Sequence, residues 1–355
     1  MPDRDPAPDA PTRAAPDDAG HADPARAADR PRDDATGATA LWYVAPGRAE
    51  IRPAALGEGG VRVETLWSGL SRGTERLVFS GAVPQSEHVR MRAPAQEGAF
   101  PFPVKYGYAA VGRVTEGPAD LAGRIVFSLH PHQSVFCAHP ERLLPVPEAV
   151  PPRRAILAAN METALNAVWD ANPSPGSRVR VIGGGLVGCL TAWVAAHHAG
   201  CIVTLIDKLD ARRAIADELA VTFASDAPAQ DAADLVFHCS ASAEGLAAGL
   251  DALRDEGRLI EMSWYGDRPV SVPLGGAFHA KRLTIASSQV GRVAPSRRDR
   301  IAFRDRLGLA LSLLDDPRLD ALITDEITFR DVPDALPGLF DPARTGTVGV
   351  AIAYR

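Results

Sequence analysis

The chain has few cysteines, and none are paired in sequence. Cys137, Cys189, Cys201 and Cys239 form no CxxC spacing, which speaks against a zinc cage built on paired thiolates and against a disulfide framework. Free cysteines in apolar runs read as small buried hydrophobes, and a reducing, cytoplasmic compartment fits them. No apolar run approaches the roughly 18 residues of a membrane span. A basic excess is missing as well. Lys and Arg number 38 against 44 Asp and Glu, a net charge of −6, so no general affinity for nucleic acid or anionic membrane is expected. The N-terminus lacks the apolar core of a secretory signal and is rich in Asp, unlike an organelle transit peptide. Residues 1–40 contain almost nothing apolar larger than Ala. Such a segment cannot bury enough surface to offset its ordering entropy, so a disordered tail is expected there.

From Leu41 the texture changes. ALWYVAPGRAEIRPAAL, GGVRVETLWSGLS, AVGRVTEG, GRIVFSL, QSVFCAH and RLLPVPE are short alternating apolar runs broken by Gly and Pro, the pattern of an irregular β domain. Near Pro151 it changes again. PPRRAILAANMETALNAVWDAN has helical apolar spacing with Pro at its entry. Strands (RVRVIG, CIVTLID, DLVFHCS, RLIEMSW) then alternate with helices (LVGCLTAWVAAHHAG, ARRAIADELA, AEGLAAGLDALRDEG). That rhythm predicts a doubly wound parallel sheet, an α/β fold class. A helix over 301–314 and two short strands close the chain, the last resembling the first domain in texture.

RVRVIGGGLVGCLTAWV holds a G-x-G-x-x-G, Gly183-Gly184-Gly185-Leu186-Val187-Gly188. The pattern alone is weak, but here a strand precedes it, a helix follows it, and Asp207 ends the next strand. Gly183 makes the tight turn, Gly185 lets backbone approach a pyrophosphate, and Gly188 lets helix and strand pack closely. The helix start at Leu186 and Val187 presents free N–H groups to phosphate. Asp207 is suited to the adenosine ribose hydroxyls and repels a 2′-phosphate, so NAD is favoured over NADP, with Lys208, Arg212 and Arg213 close enough to soften the preference.

With these motifs in order (WSGLSRGTE, KYGYAAVGRV, GRIVFSL, ETALNAVWDA, the fingerprint, GRLIEMSWYG, KRLTIASS) residues 41–355 resemble a medium-chain dehydrogenase/reductase. The stretch WSGLSRGTERLVFSG is most similar to the bacteriochlorophyllide a dehydrogenase branch. The resemblance implies a GroES-like β domain over residues 41–155, a Rossmann domain over 156–300 and a return to the first domain over 301–355. It also implies a small-molecule substrate and a homo-oligomer. Zinc members carry ligands where this chain has Ser71, Tyr108-Ala109 and the neighbourhood of Ala159. None of these supplies a thiolate, imidazole or carboxylate, so no zinc is expected.

Without a metal, a side chain must exchange the substrate proton. Thr74 matches the family's proton-relay Ser/Thr. Tyr108 stands at a ligand position as a hydrogen-bond donor or a packed tyrosine. Glu162 is an acid/base candidate or a solvent-facing residue near a helix start. His130 and His132 in SLHPHQ are acid/base candidates, loop structure, or ligands of an unexpected metal. The expectation is an NAD(H)-dependent oxidoreductase interconverting a secondary alcohol and a ketone without catalytic zinc. The alternatives are a zinc-free C=C reductase of the quinone or enoyl type and a non-catalytic nucleotide-binding protein.

Overall fold

The computed structural model describes residues 37–226 and 232–355. Most of the expected N-terminal tail lies outside the described residues. Its last part does not behave as tail, because Thr39 and Ala40 open the strand Thr39–Ala45. Leu41 and Tyr43 of that strand are fully buried, and the strand pairs antiparallel with Arg48–Pro53. Period-two burial supplies the core on one face while the ladder satisfies the backbone.

The β domain is built on two sheets. One is four-stranded; the other is seven-stranded and has Val61–Leu70 near its centre. Val61–Leu70 pairs with Ala110–Glu116, with Val135–Ala138 and with the last strand, Gly349–Ala353. The chain end thus returns to the sheet laid down at its start. A helix that the periodicity did not reveal, Arg72–Ser80, follows Val61–Leu70 directly and ends at Gly81 in the left-handed conformation (φ 74°). Its short amphipathic face (Leu77, Val78, Phe79 buried) packs into the cluster around Tyr43 and Phe340.

The expected helical segment after Pro151 is two helices, Pro152–Ala155 and Ala158–Ala171. Beyond it lies a six-stranded, wholly parallel sheet. Its spatial order is Thr222–Ala224, Ile202–Ile206, Arg178–Ile182, Ala233–His238, Leu253–Glu261, Thr284–Ser287. The order reverses direction between Arg178–Ile182 and Ala233–His238, which opens a crevice at their carboxyl ends, where open α/β sheets bind ligands. One helix is shorter than its sequence pattern predicts. AEGLAAGLDALRDEG is helical only over Ala243–Asp251, and Leu253 already begins the next strand. Register pairs Ala233 with Leu253 and Leu235 with Arg258, so the strand absorbs the turn residues. Among the described residues, no helix is long and apolar enough to cross a membrane.

Candidate active site

The glycine turn is tightly built. Gly183 sits at φ 106° and donates its N–H to Ile206 O at 2.8 Å. A Cβ on Gly188 would lie 1.8 Å from the Gly183 carbonyl oxygen, so only glycine lets the helix Leu186–His197 approach the strand. A Cβ on Gly185, by contrast, would meet nothing within 4 Å, so the helix entrance is open. Asp207 accepts from Gly184 N at 2.6 Å and from Leu209 N at 2.9 Å, one oxygen each. Each carboxylate oxygen keeps acceptor capacity for a ligand hydroxyl. Lys208 is exposed, and Leu186 and Val187 are half-buried at the helix start.

Two arginines meet at one carbonyl. Arg72 (2.8 Å) and Arg212 (3.1 Å) both donate to the carbonyl of Thr347. Arg212 is buried, lies against Gly184, and its Nε has no partner among the described residues. An open helix N-terminus beside an unsatisfied guanidinium nitrogen fits an anionic, phosphate-bearing ligand.

The β domain holds a buried polar network. Glu75, fully buried, accepts from Tyr43 Oη at 2.7 Å, from Ser71 N at 2.8 Å and from His132 Nε2 at 2.9 Å. Ser68 Oγ lies 2.7 Å from His132 Nδ1 and 3.0 Å from Tyr354 Oη. One hydrogen assignment satisfies every member: Tyr354 donates to Ser68, Ser68 to His132, and His132 to Glu75. Gly107, at φ 122°, makes room for the imidazole, since a Cβ there would sit 2.8 Å from His132 Cδ2.

Tyr108 lies over this network, with the Ser71 and Thr74 side chains facing its oxygen. Burial and the nearby Glu75 push its phenol up to about 12, so it is a proton donor throughout the neutral range. Tyr106 meets it edge-to-face at 6.0 Å and fixes the ring. Thr74, Tyr108 and His132 therefore converge on Glu75, a residue whose sequence context gave no signal.

The other two candidates lie elsewhere. His130 stacks on Phe136 at 3.9 Å and its Nδ1 lies 3.0 Å from Pro131 O. Burial, helped by Lys105, pushes its imidazole down to about 3. It is a neutral core ring facing a separate cavity of about 240 Å³ beside Lys105 and Cys137. Glu162, expected as an acid/base or a solvent-facing residue, does not face solvent. It is buried in the helix Ala158–Ala171 and paired with Arg306 at 3.0 Å, whose side chain is only 1% exposed. Burial raises the Glu162 carboxyl despite the arginine.

His130 carries a testable consequence. A group whose folded pKa lies below its unfolded value (about 6.5 for His) takes up protons on unfolding. Its contribution is intact above pH 6.5 and is lost as pH falls towards 3, at up to about 1.4 kcal/mol per pH unit. His130→Phe should flatten that part of the acid limb. Urea midpoints at pH 7, 5 and 4 measure it, and parallel pH dependence of the two chains would refute it.

Among the described residues, no cluster of three or more His, Cys, Asp or Glu is arranged to hold a metal. Ser71, Tyr108, Ala109 and Ala159 offer no zinc ligands, and His132 and Glu75 bind each other.

No family model matches the chain. A sorbitol dehydrogenase from Halalkalibacterium halodurans is 24% identical over 209 residues, 55% of this chain and 57% of that protein. The match thus spans a little over half of the relative's length. Solved structures agree over nearly the whole chain. A short chain alcohol dehydrogenase (rspB) from E. coli CFT073, complexed with NADH, superposes with a TM-score of 0.68 at 17% identity, covering 89% of this chain and 99% of that one. For 2R,3R-butanediol dehydrogenase from Bacillus subtilis the TM-score is 0.69 at 16% identity, with 90% and 100% covered. For S. aureus TarJ in complex with NADPH it is 0.66 at 16%, with 90% and 99% covered. These likenesses show the fold.

Proposed function

Because this chain has the two-domain fold of the medium-chain dehydrogenase/reductases, we propose that it is a nicotinamide-dependent oxidoreductase. It interconverts a secondary alcohol and a ketone, prefers NAD(H), and moves the substrate proton through side chains rather than a zinc-bound oxygen. The observation that carries this reading is Tyr108, a phenol held protonated by burial and the Glu75 carboxylate, in a chain whose glycine turn and Asp207 suit a dinucleotide.

A nicotinamide cofactor held at the glycine turn and Asp207 would supply or accept the hydride. In the reducing direction Tyr108 hydrogen-bonds the carbonyl oxygen and gives it a proton as negative charge develops there. Ser71 and Thr74 hydroxyls then stabilise the phenolate. In the oxidising direction Tyr108 must first lose its proton to solvent before it can take the alcohol proton, so oxidation should be favoured by alkaline pH. Glu75, held by His132, lies close to the ring and favours its protonated form. Gly183, Gly185 and Gly188 shape the phosphate cradle, while Arg72 and Arg212 supply positive charge at its rim. Since the residues at the metal positions lack ligand chemistry, no step passes through a metal.

The experiment is to titrate NADH by fluorescence quenching and then identify the product of hydride transfer from labelled NADH to a panel of ketones and activated alkenes. Binding with carbonyl reduction supports the reading. Label delivered to an alkene carbon points to a C=C reductase, and binding without turnover points to a nucleotide-binding protein.

Cofactor preference gives a second test. Asp207 already accepts two backbone N–H groups, and its charge opposes a 2′-phosphate. Asp207→Ser should shift the ratio of NADH to NADPH affinity towards NADPH by roughly tenfold or more, the worth of one close charge repulsion. An unchanged ratio would remove Asp207 from the adenosine ribose site.

A further inference from the structure

A second buried network lies at the carboxyl ends of two parallel strands, and neither the fingerprint nor the Tyr108 cluster uses it. His238 ends the strand Ala233–His238 and is fully buried. Parallel pairing places it beside Glu261, the last residue of the neighbouring strand. Glu261 Oε2 lies 2.8 Å from His238 Nδ1, and Ser240 Oγ lies 2.7 Å from His238 Nε2. Tyr265 donates to the same Glu261 oxygen at 3.1 Å, and Ser263 N–H donates to the other at 2.8 Å. Burial pushes the Glu261 carboxyl up, but bonds from His238 and Ser263 outweigh it and hold it below the usual range.

The proton positions follow from these partners. In the neutral ring, His238 donates its Nδ1–H to the Glu261 carboxylate and Nε2 accepts from the Ser240 hydroxyl. Ser242 Oγ, 2.9 Å from Ser240 Oγ, accepts the Gly245 N–H at 3.0 Å and donates to Ser240. Ser240 is left with one free lone pair and no free proton. The array depends on Gly245, because a Cβ there would lie 2.3 Å from Ser240 Oγ and 2.9 Å from His238 Nε2.

Its place in the fold says what Ser240 meets. A Cβ on Gly183 would sit 2.8 Å from Ser240 N, so Ser240 adjoins the glycine turn across the point where strand order reverses. Asp207 lies on the other side of that turn. A dinucleotide whose adenosine half lies at Asp207 and whose diphosphate crosses the turn must set its second ribose on the Ser240 side.

We propose that Ser240 accepts a hydrogen bond from a hydroxyl of the nicotinamide-side ribose, with His238 and Glu261 as positioning residues that fix its lone pair toward the cofactor. The inference rests on the oxidoreductase reading above and assigns the half of the crevice that the glycine fingerprint leaves open.

The test compares ADP, which lacks the second ribose, with ADP-ribose, which carries it, by calorimetry on the full chain. Ser240→Ala should weaken ADP-ribose binding roughly tenfold, 1.4 kcal/mol, and change ADP binding by less than about twofold. His238→Phe, which keeps a ring but cannot accept from Ser240, should reproduce that selective loss. Glu261→Gln, which retains the acceptor for His238, should restore most of the affinity that Glu261→Ala loses. Equal losses on both ligands in Ser240→Ala, or no loss on either, would overturn the assignment. If the unaltered chain bound no ADP, the dinucleotide reading itself would fall, and this inference with it.

Discussion

Tyr108→Phe should lower kcat for ketone reduction by about 10²- to 10⁴-fold, the usual contribution of a positioned general acid, and leave the NADH dissociation constant unchanged. The substitution removes one oxygen and nothing else. The ring keeps its edge-to-face contact with Tyr106 and its packing against both hydrophobic clusters, so the fold should persist and the loss should be chemical. The pH profile supplies an independent check. With the phenol pushed up to about 12, the donor remains protonated across the neutral and moderately alkaline range, and the reduction rate in the wild-type chain should show no phenol titration below about pH 10. Thr74→Val should cost less, roughly tenfold, because Thr74 supports the phenolate rather than holding the proton. A Tyr108→Phe chain within about threefold of wild type would remove Tyr108 from the proton path and leave the Glu75–His132 pair as the next group to test.

What the sequence disclosed of this site follows distance along the chain. The dinucleotide turn was legible because its parts are local: a strand, three glycines, a helix start and an acid one strand later. The clash of a Gly188 Cβ with the Gly183 carbonyl is the reason the motif has that spacing. Thr74 and Tyr108 stand out from their places in two short motifs, and the fold brings their side chains together. Glu75, one residue after Thr74, does not, because an acid at the start of an amphipathic helix ordinarily reads as a dipole partner facing water. Its burial depends on Tyr43, 32 residues earlier, and His132, 57 residues later. Glu162 shows the same limit in reverse. It looked available until Arg306, 144 residues on, was seen to occupy it. His130 and His132 looked equivalent in SLHPHQ. The fold sends one ring onto Phe136 and the other onto Glu75, a difference set by packing and not by their shared motif. The His238–Glu261 pair needed strand order and register together, since the two residues meet only because their strands are parallel neighbours.

Glu75→Ala should be the most damaging single change to the β domain, at about 3–5 kcal/mol of unfolding free energy, the range seen when one member of a buried polar pair is removed. Three donors converge on this carboxylate: the Tyr43 hydroxyl, the Ser71 amide and the His132 ring. Alanine leaves all three in a fully buried pocket without an acceptor, and each unsatisfied group costs about 1–3 kcal/mol unless the site relaxes or admits water. Glu75→Gln should cost less, because its amide oxygen still accepts, but its NH₂ then faces a donor and one bond is lost. His132→Phe tests the same network from the other side. It fills the space against Gly107 but takes the acceptor from the Ser68 hydroxyl proton and leaves Glu75 Oε2 with Tyr43 as its one remaining donor, so its cost should stay below that of Glu75→Ala. Urea unfolding measures all three, with an unchanged m-value showing that the native state is still compact. The network also lies close to Tyr108, so Glu75→Gln should lower kcat more than it raises the KM for NADH. A loss under about 1 kcal/mol for Glu75→Ala would mean that the pocket readily hydrates, and that the polar chain from Glu75 to Tyr354 is not what holds the site.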